Sequence, residues 1–131
     1  MFAKPKRAVN KVFIHCSASD NAAHDNIKTI KSWHLARGFN DIGYHYYIDK
    51  IGIVHNGRSV ELTPAAQSGH NKGSIAICLG GLNHFSEAQF FSLKKLCAEI
   101  KQALPKITFH GHCEVSAKTC PNFDYKKVLG L

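Results

Sequence analysis

The run Ser74–Leu79, Ser-Ile-Ala-Ile-Cys-Leu, constrains the fold more than any other stretch. It is apolar almost without interruption and closes on Gly80-Gly81. A strand with apolar side chains on both faces has to be covered on both faces, as central strands of parallel or mixed sheets are. The chain supplies covers on either side of it in sequence. After it, Phe90, Leu93, Cys97, Ile100 and Leu104 recur at spacings of 3 and 4 and mark one face of a helix. Ser86 and Gln89 form a capping-box pair at its start, and Pro105 ends it. Before it, Ile27, Ile30 and His34, with Trp33 beside them, predict a shorter helix from an N-cap at Asp25 to Arg37, stopped by Gly38.

The remaining segments read as sheet. Residues 9–16 are β-branched and apolar, 41–49 are rich in Tyr and Ile, and Lys50-Ile51-Gly52 turns the chain into a return strand at 53–56. A short strand follows at 107–112, and a helical turn at 124–129. Residues 1–8 read as a basic, poorly ordered lead-in, and 9–131 as one domain. The order strand, helix, hairpin, strand, helix, strand predicts an α/β fold with a single mixed central β-sheet flanked by helices.

Composition narrows the function. The chain of 131 residues carries 17 Lys and Arg against 9 Asp and Glu, a formal net charge of +8. Such a balance favours polyanionic partners: anionic lipid, an acidic wall polymer or nucleic acid. The basic residues are spread along the chain without an arginine-rich block, which argues against sequence-specific nucleic-acid binding. No apolar run approaches the roughly 20 residues of a membrane span. The basic N-terminus is followed by no apolar h-region, so no signal peptide is expected. The 5 cysteines are odd in number and irregularly spaced, unlike a disulfide framework. Cys78 and Cys97 fall in apolar patterns. Cys16 and Cys113 each follow a histidine, so strand alternation turns them away from it as core thiols.

Chemistry concentrates in 109–125, Phe-His-Gly-His-Cys-Glu-Val-Ser-Ala-Lys-Thr-Cys-Pro-Asn-Phe-Asp-Tyr. His112 and Cys120 flank a short loop, which suits two ligands of a metal. Catalytic zinc takes three protein ligands and leaves a fourth position open. His15, at the end of a buried strand, is a third donor. His110, two residues before His112 on the same strand face, is a rival for that role. Glu114 is placed to brace the loop. No His-Glu-x-x-His motif is present, so a carboxylate base of the zincin kind is not indicated.

Four segments, VFIHCSAS, WHLARGFNDIGYHYYI, GHNKGSIAICLGG and GHCEVSAKTCPNFD, resemble the zinc-dependent N-acetylmuramoyl-L-alanine amidases of the amidase-2 family, to which peptidoglycan recognition proteins are also similar. The resemblance runs from about residue 12 to 124. It implies one Zn2+ held by His15, His112 and Cys120, with Cys120 where many relatives have Asp. It implies catalytic roles for Tyr44, which would orient water or pass a proton, and for Lys118, which would stabilise the oxyanion. The bond cut would be the amide between N-acetylmuramic acid and L-alanine of peptidoglycan.

The family's histidine before the Gly-x-Asn segment is replaced here by Ala66. His70, Asn71 and Arg58 are therefore expected as substrate contacts, while Trp33, His34 and His45 are expected to be structural. The resemblance implies a monomeric phage or prophage endolysin, made in the cytoplasm without a signal peptide and reaching the wall after holin-type release. Competing readings are a non-catalytic recognition module of the same fold, a cytoplasmic muropeptide-recycling amidase, and a Cys–His hydrolase using Cys16 or Cys113.

Overall fold

Strand β1 (Lys11–Cys16) lies near the middle of a five-stranded sheet of order β3-β2-β4-β1-β5 in the computed structural model, which describes residues 2–131. The others are β2 (Tyr46–Ile48), β3 (Val54–Asn56), β4 (Ser74–Leu79) and β5 (Thr108–Gly111). β4 runs parallel to β1 and β2, β5 runs parallel to β1, and only β3 is antiparallel, as the return arm of the hairpin from β2. The expected mixed sheet is present, and Ser74–Leu79 is its fully buried central strand.

The two faces of the sheet differ. Val12 and Ile14, Ile75, Ile77 and Leu79, and Tyr46 and Ile48 meet Leu93, Leu96, Cys97 and Ile100 of α2 (Glu87–Ala103) in one large apolar cluster. The capping box of Ser86 and Gln89 opens α2 as expected. The short α3 (Tyr125–Leu129) lies on the same side, with Val128 and Leu129 against the cluster. On the other face Tyr47 and Cys78 meet Ile42 and Ile30 of α1 (Ile27–Ala36) in a much smaller cluster.

Several local expectations are corrected. The N-cap of α1 is Asn26, whose side chain accepts from the Thr29 amide at 2.8 Å. The Asp25 carboxylate is taken instead by the Tyr47 hydroxyl at 2.6 Å and the Lys50 amide at 2.9 Å, partners that a local motif cannot reveal. Gly38 ends α1 in the left-handed region at φ 92°. Of the stretch 41–49 only residues 46–48 join the ladder.

Residues 2–8 are docked and not loose, while residue 1 lies outside the described residues. Phe2 is buried in the large cluster, with its amide donating to Glu99 at 3.0 Å. Arg7 donates to the carbonyls of Val60 and Ser74, both at 2.7 Å.

Candidate metal centre

β1 outruns β5. Their pairing stops at Ile14 opposite Gly111, so His15 and Cys16 extend past the end of their neighbour. The chain leaves β5 at Gly111 and turns through a 3-10 turn at His112–Glu114. Glu114 braces that turn by accepting from the Gly111 amide at 2.9 Å, from His110 Nδ1 at 2.9 Å and from the Tyr125 hydroxyl. The returning loop is pinned where the Cys113 amide donates to the Cys120 carbonyl at 2.8 Å. The Cys16 amide, left without a β5 partner, donates to Cys120 Sγ at 3.2 Å.

This arrangement assembles His15, His112 and Cys120. Their ligand atoms all lie within 4.8 Å of one another. Cys120 Sγ is 3.9 Å from His15 Nδ1, and the two imidazole centroids are 4.6 Å apart. Zinc bonds of 2.0–2.3 Å in a tetrahedron separate ligand atoms by roughly 3.3–3.8 Å, so the triad needs only a small contraction to close on such an ion.

The charge states suit it as well. Burial, reinforced by His112, pushes His15 down to about 3, and burial followed by Lys118 lowers His112. Both imidazoles are thus neutral at neutral pH and keep a lone pair for a metal. The Cys16 and Cys120 thiols share a hydrogen bond that brings Cys16 down to about 7 and raises Cys120. A cation at the triad would stabilise the thiolate form of Cys120.

The triad opens into a cleft of about 560 Å³ lined in part by His34, Arg37, Tyr44, Asn71 and Lys118. Among the described residues no acidic side chain lines it. The Tyr44 ring lies between His15 and His34, with centroids 5.1 and 5.2 Å away. Gly43 fixes its approach: the Gly43 amide donates to His34 Nδ1 at 2.7 Å, and a Cβ there would overlap the Ala65 carbonyl. Burial holds the Tyr44 phenol well above its ordinary pKa, so it keeps its proton. A second groove of about 820 Å³ lies between α2, β5 and α3; it is larger and more apolar but contains none of the triad.

Not every expected residue joins the cleft. Arg58 donates to the carbonyls of Ile42 at 2.8 Å and Thr63 at 2.9 Å, bracing the segments around Tyr44 instead of lining the cleft. His70 is exposed and lies outside the lining. Asn71 lines it, but its Oδ1 accepts from the amides of Ala66 and Gln67 at 3.0 and 2.9 Å and so holds the loop. His110 is turned onto Glu114 and Thr108 and away from the triad.

Cys113 is exposed, not a core thiol, because the chain has already left the strand at that point. Cys16 is buried, yet it sits beside Cys120. His45 is structural: Nδ1 accepts from the Ala76 amide at 3.1 Å and Nε2 faces the Leu62 carbonyl at 2.8 Å. His34 caps Gly43 but also lines the cleft. Gln67, which no motif singled out, is fully buried with Oε1 2.8 Å from His15 Nε2.

The family model described as N-acetylmuramoyl-L-alanine amidase matches residues 5–123. The endolysin of Escherichia phage T7 is 32% identical over 132 residues, covering 95% of this chain and 87% of that protein. Among solved structures, the N-acetylmuramoyl-L-alanine amidase LysC from Clostridium intestinale superposes with a TM-score of 0.84 at 25% identity, over 95% of this chain and 85% of that one. The Drosophila peptidoglycan recognition protein LB superposes with a TM-score of 0.77 at 25% identity, over 89% and 76% of the two chains.

Proposed function

Because the chain belongs to the N-acetylmuramoyl-L-alanine amidase family, we propose that His15, His112 and Cys120 hold one Zn2+ and that the cleft beside them hydrolyses the amide between N-acetylmuramic acid and L-alanine. The protein is a peptidoglycan amidase of the endolysin kind. The observation that carries the zinc reading is the convergence of two neutral imidazoles and a thiol within 4.8 Å at the mouth of a cleft. A bound zinc would supply Lewis acidity toward the scissile carbonyl and a lowered pKa for water.

The chain's own residues supply the rest. Lys118 is exposed on the loop between His112 and Cys120 and lines the cleft. Its ammonium would stabilise the negative charge that grows on the carbonyl oxygen during attack. Tyr44, protonated and held against His15, donates a hydrogen bond to the reacting water or to the scissile amide. The cleft's two cations, Arg37 and Lys118, and its lack of acidic lining residues suit a substrate with carboxylates along its peptide.

Among the described residues no helix is long and apolar enough to cross a membrane. Access to the wall would come from a holin-type lesion. The formal charge of +8 favours approach to anionic envelopes. The experiment measures zinc content and the appearance of new L-alanine amino termini in purified peptidoglycan, for wild type and Cys120→Ser. Wild type is expected to hold one zinc and release termini, and Cys120→Ser to do neither. Cleavage by a metal-free wild type would defeat the reading.

A further inference from the structure

A histidine can offer a metal only one nitrogen at a time, and which one is free is decided by the proton on the other. The surroundings of His15 decide this through a chain of hydrogen bonds whose direction is forced at each link. The Asn71 carbonyl can only accept, so the Ser74 hydroxyl, 2.7 Å away, must donate its single proton to it. Ser74 Oγ can then only accept from Gln67, whose amide nitrogen lies 2.7 Å away. That nitrogen also donates to the His70 carbonyl at 3.2 Å. Turning the amide over would set its oxygen against that carbonyl and against a hydroxyl with no proton left to give. Gln67 Oε1 therefore faces His15 Nε2 at 2.8 Å, and Nε2 must carry the proton.

We infer that Gln67 is the positioning residue that fixes the tautomer and ring orientation of His15, dedicating Nδ1 to the metal. Nδ1 is the atom facing Cys120 Sγ, at 3.9 Å. Gln67 and Ser74 are both fully buried, a costly place for an amide and a hydroxyl unless every polar atom is satisfied. The loop that carries Gln67 is held in register by Asn71 Oδ1 on the amides of Ala66 and Gln67. The loop 65–71 thus acts on the metal through His15 without touching substrate at Gln67.

This inference rests on the zinc reading above, and the test separates the two. In metal-free wild type, long-range 15N–1H correlation of the His15 ring reports which nitrogen is protonated. The expected result is a proton on Nε2; a proton on Nδ1 overturns the inference whether or not zinc binds, and needs no variant to fold. Zinc affinity is then measured by competition with a chromophoric chelator. Gln67→Met keeps the side-chain length and removes the acceptor, so affinity is expected to fall about 10- to 100-fold. Gln67→Glu restores an acceptor and is expected to recover most of that loss. Ser74→Ala frees the amide to turn and is expected to fall between wild type and Gln67→Met. Unchanged affinity in Gln67→Met overturns the inference while leaving the zinc site standing. A wild type that binds no zinc overturns the zinc reading itself, and with it the assignment of Nδ1 to a metal.

Discussion

Ile14 and His15 are adjacent on β1 and both buried, yet they belong to different parts of the molecule. Ile14 faces α2 within a cluster that includes Ile75, Ile77, Leu79, Leu93 and Ile100, all fully buried and apolar. His15 is held by Gln67 and faces His112, Cys120 and Tyr44. On the α1 side Ile30, Ile42, Tyr47 and Cys78 form a smaller buried apolar cluster. The side chains of one strand thus serve two purposes by alternation. One face buries apolar area and supplies stability, at about 25 cal/mol per Å². The other gives up that gain to hold buried polar groups in fixed directions, which a reaction centre requires.

The division breaks most sharply if a substitution on one face is felt on the other. Cys120→Ala should cost the most, on the order of a thousandfold or more in peptidoglycan hydrolysis with loss of bound zinc, because it removes one of the three proposed ligands. Its urea midpoint, compared with that of metal-free wild type, should hardly move. Lys118→Ala should lower turnover by about 10²- to 10³-fold. Its zinc content should be unchanged, since Lys118 is exposed and is not one of the triad.

Ile77→Ala, on the packing face, should reverse the pattern. A loss of about 2–5 kcal/mol in unfolding free energy is expected from the cavity and lost burial, with near-normal activity in the folded fraction. Equal damage to zinc affinity and stability in any of these variants would mean that the faces are not separable.

Acidification sharpens the same contrast. Burial pushes His34 and His45 down to about 4 from 6.5. Between those values the unfolded chain binds protons that the native chain does not. These two histidines should therefore make the metal-free protein lose stability as the pH drops from about 6.5 toward 4, and the buried His15 should carry the loss on toward about 3. The slope should be at most about 1.4 kcal/mol per pH unit for each histidine. Ile77→Ala should shift this urea-unfolding curve down without changing its shape. The smallest effect belongs to His70→Ala: an exposed side chain outside the cleft should alter stability by no more than about 0.5 kcal/mol and leave hydrolysis within about twofold.

The packing face was also the more legible one. Its signals are local: the continuous apolar run of β4, the spacings of 3 and 4 along α2, and the capping box at Ser86. Where expectation and structure part, a tertiary partner has taken over. Asp25 reads as a helix cap but serves Tyr47 and Lys50, while Asn26 beside it caps. The basic lead-in reads as loose, yet Phe2 and Arg7 find hydrogen-bond partners on α2, the 59–61 segment and β4. His15, His112 and Cys120 were legible as a set of donors, but only family-like motifs singled them out from nine histidines. Gln67 left no trace, because a glutamine in a polar loop looks the same buried or exposed. Cys16 is buried as expected, but alternation says nothing about what lies beyond the last residue of a strand, where Cys120 comes to meet it.

If His15, His112 and Cys120 hold the proposed zinc, peptidoglycan hydrolysis depends on that metal. The most direct test strips purified wild type with a chelator, removes the chelator, and measures release of L-alanine amino termini before and after one equivalent of zinc. Stripping is expected to abolish release, and one equivalent of zinc to restore it. Release that persists at full rate in the stripped protein would contradict it.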